Sequence, residues 1–175
     1  YLQHGGGGGG GGRIAIHCTT CASLADASFG ADGARVAGGL TLDARGGAAG
    51  STKRVVPTEG PRRGAPGPIF SDAAGKRTLL LANSDGLLAA TTVDTLASVP
   101  PAPAGSVSLD ALVLRSCVVS IDASLQAGSL TSELALVKVT APLRVLGALS
   151  VASGTWFVSA NVSAHALGVG ASALV

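Results

Sequence analysis

Almost every side chain available to fill an interior is small. The 175 residues include one Trp, one Tyr, three Phe and no Met, and the 47% apolar fraction is mostly Ala, Val and Leu. That fraction suffices for a packed core and disfavours wholesale disorder. A core of short and β-branched side chains must be narrow, however. A coil of short strands meets this limit, because each inward residue packs on its counterpart one rung above and below and no wide central space has to be filled. The length suits one domain, residues 1–175.

The second half repeats internally. Sliding the chain on itself gives the best match at an offset of 22, which superposes Leu112, Val113 and Leu114 on Leu134, Ala135 and Leu136, and these on Trp156, Phe157 and Val158. The same offset brings Ile121 and Ala123 onto Leu143 and Val145, and Leu130 onto Ala152 and Leu174. Two or three short alternating segments in a period of about 22 residues match one turn of a parallel β-helix. Leu112, Leu134 and Trp156 are therefore expected in register, with Trp156 as a core anchor. The whole chain would make about eight turns, rising roughly 38 Å at the spacing of neighbouring strands. Residues 105–175 are expected as regular rungs and residues 1–104 as rungs decorated by loops. Two rivals remain: a membrane-spanning helix over the uncharged residues 145–164, and a sandwich of meandering strands.

The first half alternates glycine-flanked strands with polar loops. Eight glycines at 5–12 read as an exposed loop. Strands follow at Arg13–His17 and Leu40–Ala44; between them Ser23–Ala37 could form a short helix, but Gly30 and Gly33 interrupt it, so an irregular loop is expected. Residues 46–68 form a Gly- and Pro-rich lateral loop. Order resumes at Pro68–Phe70, turns at Asp72–Gly75, continues as a strand over Thr78–Ala82 and ends in the turn sequence Asn83–Gly86. Pro100, Pro101 and Pro103 mark a second linker. Tyr1 is no initiator residue and Val175 falls within an apolar pattern, so the chain reads as an excerpt of a longer parent.

Few residues have spacing that a particular chemistry demands. The glycine run lacks the Lys-Ser/Thr of a phosphate-binding loop. Lys53, Arg54, Arg62 and Arg63 cluster in the lateral loop, but a net charge of +2 with few aromatics argues against nucleic acid. Cys18 and Cys21 form a Cys-x-x-Cys after His17. A second zinc half-site at ligand spacing is missing, since only Cys117, His4 and His165 remain. No helix is expected to lower a thiol pKa there. A disulfide or mixed disulfide is favoured over buried thiols, and a metal or redox site is the weakest reading. Asn161-Val162-Ser163 is an N-glycosylation acceptor sequence, in keeping with secretion. No Gly-x-Ser-x-Gly accompanies His17 or His165, and both are expected at the surface or an edge. No cofactor site and no metal site is expected.

The ordered succession of three pieces resembles the right-handed parallel β-helix repeats of very large surface proteins of algae, protists and bacteria. The pieces are the glycine run leading into Arg13-Ile14-Ala15-Ile16, then Gly39-Leu40-Thr41-Leu42-Asp43-Ala44-Arg45-Gly46-Gly47, then Gly67-Pro68-Ile69-Phe70 through Leu79-Leu80-Leu81-Ala82-Asn83. The resemblance covers residues 5–86. It implies an all-β, single-stranded right-handed, pectin-lyase-like coil with long Gly/Pro-rich lateral loops, at the cell surface, and no catalytic residues. Pectate lyases of that fold use clustered acidic calcium ligands and an Arg base, whereas Asp43, Asp72, Asp85, Asp110 and Asp122 are scattered along this sequence. A non-catalytic structural or adhesive module is therefore expected. Its partners would be neighbouring rungs or domains of the parent chain and surface glycans, with membrane association only through the parent. A carbohydrate-active protein of the pectate-lyase type is the alternative. A carbohydrate- or ice-binding face is weaker, because Thr19, Thr20, Thr91 and Thr92 do not recur periodically.

Overall fold

The computed structural model describes residues 11–21, 28–29, 35–37, 40–44, 67–82, 89–93 and 107–175. Most of the glycine run, the lateral loop with its basic cluster, the Asn83–Gly86 turn, Asp85 and the proline linker lie outside them. Among the described residues every regular element is a strand. The first half holds β1 (Ile14–Cys18), β2 (Ser28–Phe29), β3 (Arg35–Ala37), β4 (Leu40–Leu42), β5 (Pro68–Ala73), β6 (Lys76–Ala82) and β7 (Ala89–Val93). The second half holds β8 (Val107–Arg115), β9 (Cys117–Ile121), β10 (Leu125–Glu133), β11 (Ala135–Val139), β12 (Leu143–Val158) and β13 (Val162–Leu174).

The second half is a parallel β-solenoid of about four turns. β8 pairs with β10, β10 with β12 and β12 with β13, all parallel; on another face β9, β11 and the far part of β12 pair in the same sense. Parallel neighbours cannot be joined by hairpins, so the meandering sandwich is excluded. Residues 145–164 are strand and turn rather than helix, and no helix of the described residues is long and apolar enough to cross a membrane.

The coil repeats at 18 or 19 residues, which corrects the expected 22. Leu112 pairs with Leu130, Leu130 with Leu149 and Leu149 with Leu167. Leu112, Leu134 and Trp156 therefore do not superpose. Leu134 sits at a corner with φ 49° and is 44% exposed, while Trp156 stands over Val137, which stands over Val119. Likewise Leu143 lies over Leu125, not Ile121. The offset misled for a physical reason. Each turn has three short faces that all read apolar-x-apolar, as in Leu112/Leu114 and Cys117/Val119/Ile121, so sliding one face onto another preserves the alternation. Among the described residues the solenoid makes about four turns, against the eight expected of the whole chain before its loops are deducted.

Inward rows run through the stack. Val107, Leu125, Leu143 and Val162 form one; Leu109, Ala127, Val145 and Ala164 another; Leu112, Leu130, Leu149 and Leu167 a third. A corner between faces takes a left-handed residue: Ser116 and Leu134 have φ 49°, and Gly154 has φ 111°. β12 carries one extra residue within 146–148, which shifts its register against both β10 and β13 and lengthens that rung to 19. Gly147 makes this possible, because a Cβ there would stand 2.7 Å from the Gly128 carbonyl oxygen.

The first half departs from a simple continuation of the coil. β6 pairs parallel with β8, but β5 and β6 form an antiparallel hairpin, with β1 parallel to β5. Ala74 and Gly75 form its two-residue turn, both with positive φ (48° and 79°), the geometry that suits the strand twist of a tight hairpin. The Ser23–Ala37 stretch, expected as an irregular loop, contributes β2 and β3 to a small antiparallel sheet with β4. The β5–β6 sheet is apolar on both sides. Phe70, Leu79 and Leu81 join the solenoid core, and Ile69, Leu80 and Ala82 pack with Leu42 and Ala44 in a second cluster against which Ile14, Ile16 and Val113 rest.

Trp156 is the bulkiest side chain in the stack, 3% exposed, and its indole Nε1 donates to the Oγ of buried Ser132 at 3.1 Å. Trp156→Ala should cost about 3–5 kcal/mol through the cavity it leaves. Trp156→Phe should cost less, about 1–3 kcal/mol, largely from an unpaired Ser132 hydroxyl. Urea unfolding of the two variants checks both the size and the order.

Candidate functional site

The chemistry-bearing side chains that folding brings together lie at the β1–β5–β6 end of the sheet. Register places His17 opposite Asp72, and Asp72 opposite Arg77. Directly opposed residues in neighbouring strands point to one face, so an imidazole, a carboxylate and a guanidinium stand in a row. Alternation puts Phe70 on that face too. The His17 and Phe70 rings are 5.5 Å apart at 55°, and the Arg77 guanidinium carbon lies 5.8 Å from the Phe70 ring centre. One strand further, the Arg77 backbone N–H donates to Asp110 Oδ2 at 2.7 Å. Asp72 and Asp110, 38 positions apart in sequence, thus flank the strand that carries Arg77. The carboxylates are scattered along the sequence, and the β5–β6 hairpin and the β6–β8 pairing gather two of them around Arg77.

The row borders an open cleft of about 630 Å³ lined by His17, Cys18, Thr19, Asp72 and Gly75. Cys18 and Cys21 are joined by a disulfide, with Cα atoms 5.6 Å apart, and the Cys18 carbonyl accepts the Ala74 N–H at 3.0 Å. The Cys18–Cys21 loop is thereby tied to the hairpin turn on the other side of the cleft. A disulfide closing so short a loop limits the unfolded chain by only about 2 kcal/mol, so it clamps this wall more than it holds the coil. Chemically the cleft offers an acceptor carboxylate, an imidazole and a hydroxyl, a set suited to hydrogen-bonding a polyhydroxylated ligand. Among the described residues no group of three or more His, Cys, Asp and Glu could hold a metal ion.

The remaining singled-out residues stay apart from the cleft. Asn161 is exposed on the turn between β12 and β13, where its carbonyl accepts the Leu143 N–H at 3.0 Å. His165 is exposed on β13. Cys117 is a free thiol buried in the solenoid core. On the coil surface Arg115 and Glu133 make an ion pair at 2.8 Å between adjacent rungs; its partial exposure limits its worth to about 1 kcal/mol or less. The Asp72–Arg77–Asp110 grouping had one legible signal, the strand–turn–strand pattern around Ala74-Gly75, which makes Asp72 and Arg77 neighbours once it is read as a two-residue hairpin. Comparison with protein-family models, with curated proteins and with solved structures gives no match for the chain.

Burial pushes the Cys117 thiol from 9.0 up to about 12, against a smaller opposing effect of a backbone hydrogen bond with Arg115. Below pH 9 folded and unfolded chains both keep the proton, and the group adds no pH dependence. Between about pH 9 and 12 only the unfolded chain loses it, so stability should fall with rising pH, by up to roughly 4 kcal/mol in all. Cys117→Ala should flatten that part of a stability–pH profile measured by denaturant unfolding.

Proposed function

We propose that the chain is a non-catalytic structural or adhesive module of an extracellular or cell-surface protein. The observation that supports this reading is the parallel stacking of rungs in the second half, in which polar side chains serve the stack itself. Ser132 accepts from Trp156, Arg115 pairs with Glu133, and Thr140 and Ser159 hydroxyls donate to the carbonyls of Ile121 and Val139 one rung away. Each rung touches only its neighbours, the arrangement of solenoids that act as extended scaffolds. The Cys18–Cys21 disulfide and the exposed Asn161-Val162-Ser163 turn support an oxidising, secretory setting. The resemblance of residues 5–86 to pectin-lyase-like surface repeats lends no support, because the coil lies in the second half and β2–β3, β3–β4 and β5–β6 pair antiparallel. The partners are neighbouring rungs or domains of a larger parent chain, with glycans as the surface ligand.

A second reading, a polysaccharide-binding protein related to carbohydrate-active β-helices, is favoured by one observation: the His17–Asp72–Arg77 row beside the cleft. The two readings respond differently to mutation. For a scaffold, removing residues 125–142, one 18-residue rung, should lower the adhesion of protein-coated beads to a glycan-coated surface in a graded way, and His17→Ala or Asp72→Asn should change it little. Loss of adhesion on Asp72→Asn in a folded variant would transfer the function to the cleft and sink the scaffold reading.

A further inference from the structure

One corner of the coil is built the same way in three successive turns. Asp122-Ala123-Ser124 joins β9 to β10, Thr140-Ala141-Pro142 joins β11 to β12, and Ser159-Ala160-Asn161 joins β12 to β13. In each corner the middle alanine is half-buried and the third residue is exposed. That third residue serves the stack through its backbone: the carbonyls of Ser124, Pro142 and Asn161 accept the N–H groups of Val107, Leu125 and Leu143, each at 3.0 Å. Pro142 has no polar side chain, so the corner asks nothing of a carboxamide there. Ser124 and Pro142 start rungs that have a paired strand on both sides, and they are exposed all the same. The outward aim of this position therefore follows from the corner itself.

Asn161 is followed by Val162 and Ser163, an acceptor sequence for N-linked glycosylation. The fold divides these residues between two sides. Val162 continues the inward row of Val107, Leu125 and Leu143, while Ser163 continues the outward row of Ser108, Gln126 and Arg144. The amide and the hydroxyl that the modification requires are thus at the surface, and the residue between them is held by the core. Asn83, the other asparagine of the chain, has Asp85 in place of that hydroxyl.

We propose that Asn161 carries an N-linked glycan, set on the outer corner of the coil. The donor is an oligosaccharide joined to a lipid diphosphate. A bond forms between the anomeric carbon of the sugar and Asn161 Nδ2, the bond from that carbon to the diphosphate oxygen breaks with its electron pair leaving on the lipid diphosphate, and Nδ2 gives up one proton. The sugar projects away from the inward rows, so the stack accommodates it without moving a rung. A glycan is bulky and hydrated, and partners of the module must then approach by other faces. The proposal rests on the secretory setting of the proposed function, since transfer takes place on chains that enter a secretory compartment.

Mass spectrometry of the 175-residue chain, secreted from eukaryotic cells behind a cleavable leader, tests the site. The expected result is one glycan per chain, removed by peptide N-glycosidase, which leaves an aspartate at position 161. Ser163→Ala should abolish the added mass and Ser163→Thr should keep it; both change an outward side chain and spare the inward rows. Should either variant fail to be secreted, the conversion of Asn161 in the unaltered chain decides. The peptide containing Asn161 is also read in the parent protein from its own cells, together with the state of Cys18 and Cys21. In either preparation, a bare Asn161 with the Cys18–Cys21 disulfide formed would reject the glycan and leave the extracellular module standing. A bare Asn161 beside reduced cysteines in the parent protein would reject both.

Discussion

The structure depends on one contact repeated at each step: a parallel backbone ladder between rungs, with inward side chains stacked on their own counterparts. Leu112, Leu130 and Leu149 illustrate it. In most domains a core is filled from opposing layers, and large side chains are needed to bridge the gap between them. Here the neighbour along the stack lies one strand spacing away, about 4.8 Å, so Ala, Val and Leu close the interior. One Trp is accommodated where a facing Ser132 leaves room for it and supplies its acceptor.

That economy constrains the backbone more than the side chains. Three faces per turn require sharp corners, and corners use conformations that ordinary residues adopt reluctantly. Ser116 and Leu134 take left-handed values at roughly 1–2 kcal/mol each for a residue with a Cβ. Leu134 also donates its backbone N–H to Ser153 Oγ at 3.0 Å, and the Ser116 N–H donates to the Glu133 carbonyl at 3.0 Å. The corner conformations are thus held by bonds to the adjacent rung. A stack of this kind tolerates an inserted residue if it bulges at a corner, and the extra residue of β12 does so beside Gly147 without disturbing the rows on either side.

The fold class was legible because it follows from side-chain size and alternation, both local properties. The strands around Ile14, Leu40, Pro68 and Thr78 were legible for the same reason. The period was not. With Ala, Val and Leu at so many positions, rival offsets score alike, and what separates 18 from 22 is where the corners fall. Corners are marked by φ at Ser116 and Leu134, two residues with no turn signature of their own. The site was less legible still. Cys18 and Cys21 announce themselves by spacing and the Ala74-Gly75 turn makes Asp72 and Arg77 neighbours, but the approach of Asp110 arises from the pairing of β6 with β8, which are far apart in sequence, and no local pattern encodes that.

The two ends of the stack differ in kind. Beyond β8 the sheet turns back on itself: β6 runs parallel to the coil, β5 against it, and the antiparallel step breaks the winding. The far side of that hairpin is covered by Leu42 and Ala44, so Ile69 and Leu80 find a second apolar cluster in place of another rung. The hairpin also carries the polar row and the disulfide-clamped cleft, so the element that interrupts the coil is the one that presents chemistry. β13, at the other end of the described stack, continues the coil in parallel with β12. There the strand repeats the direction and the inward rows of the strand before it, with Leu167 over Leu149 and Val169 over Val151, so the same side-chain sizes that close the interior recur rung by rung.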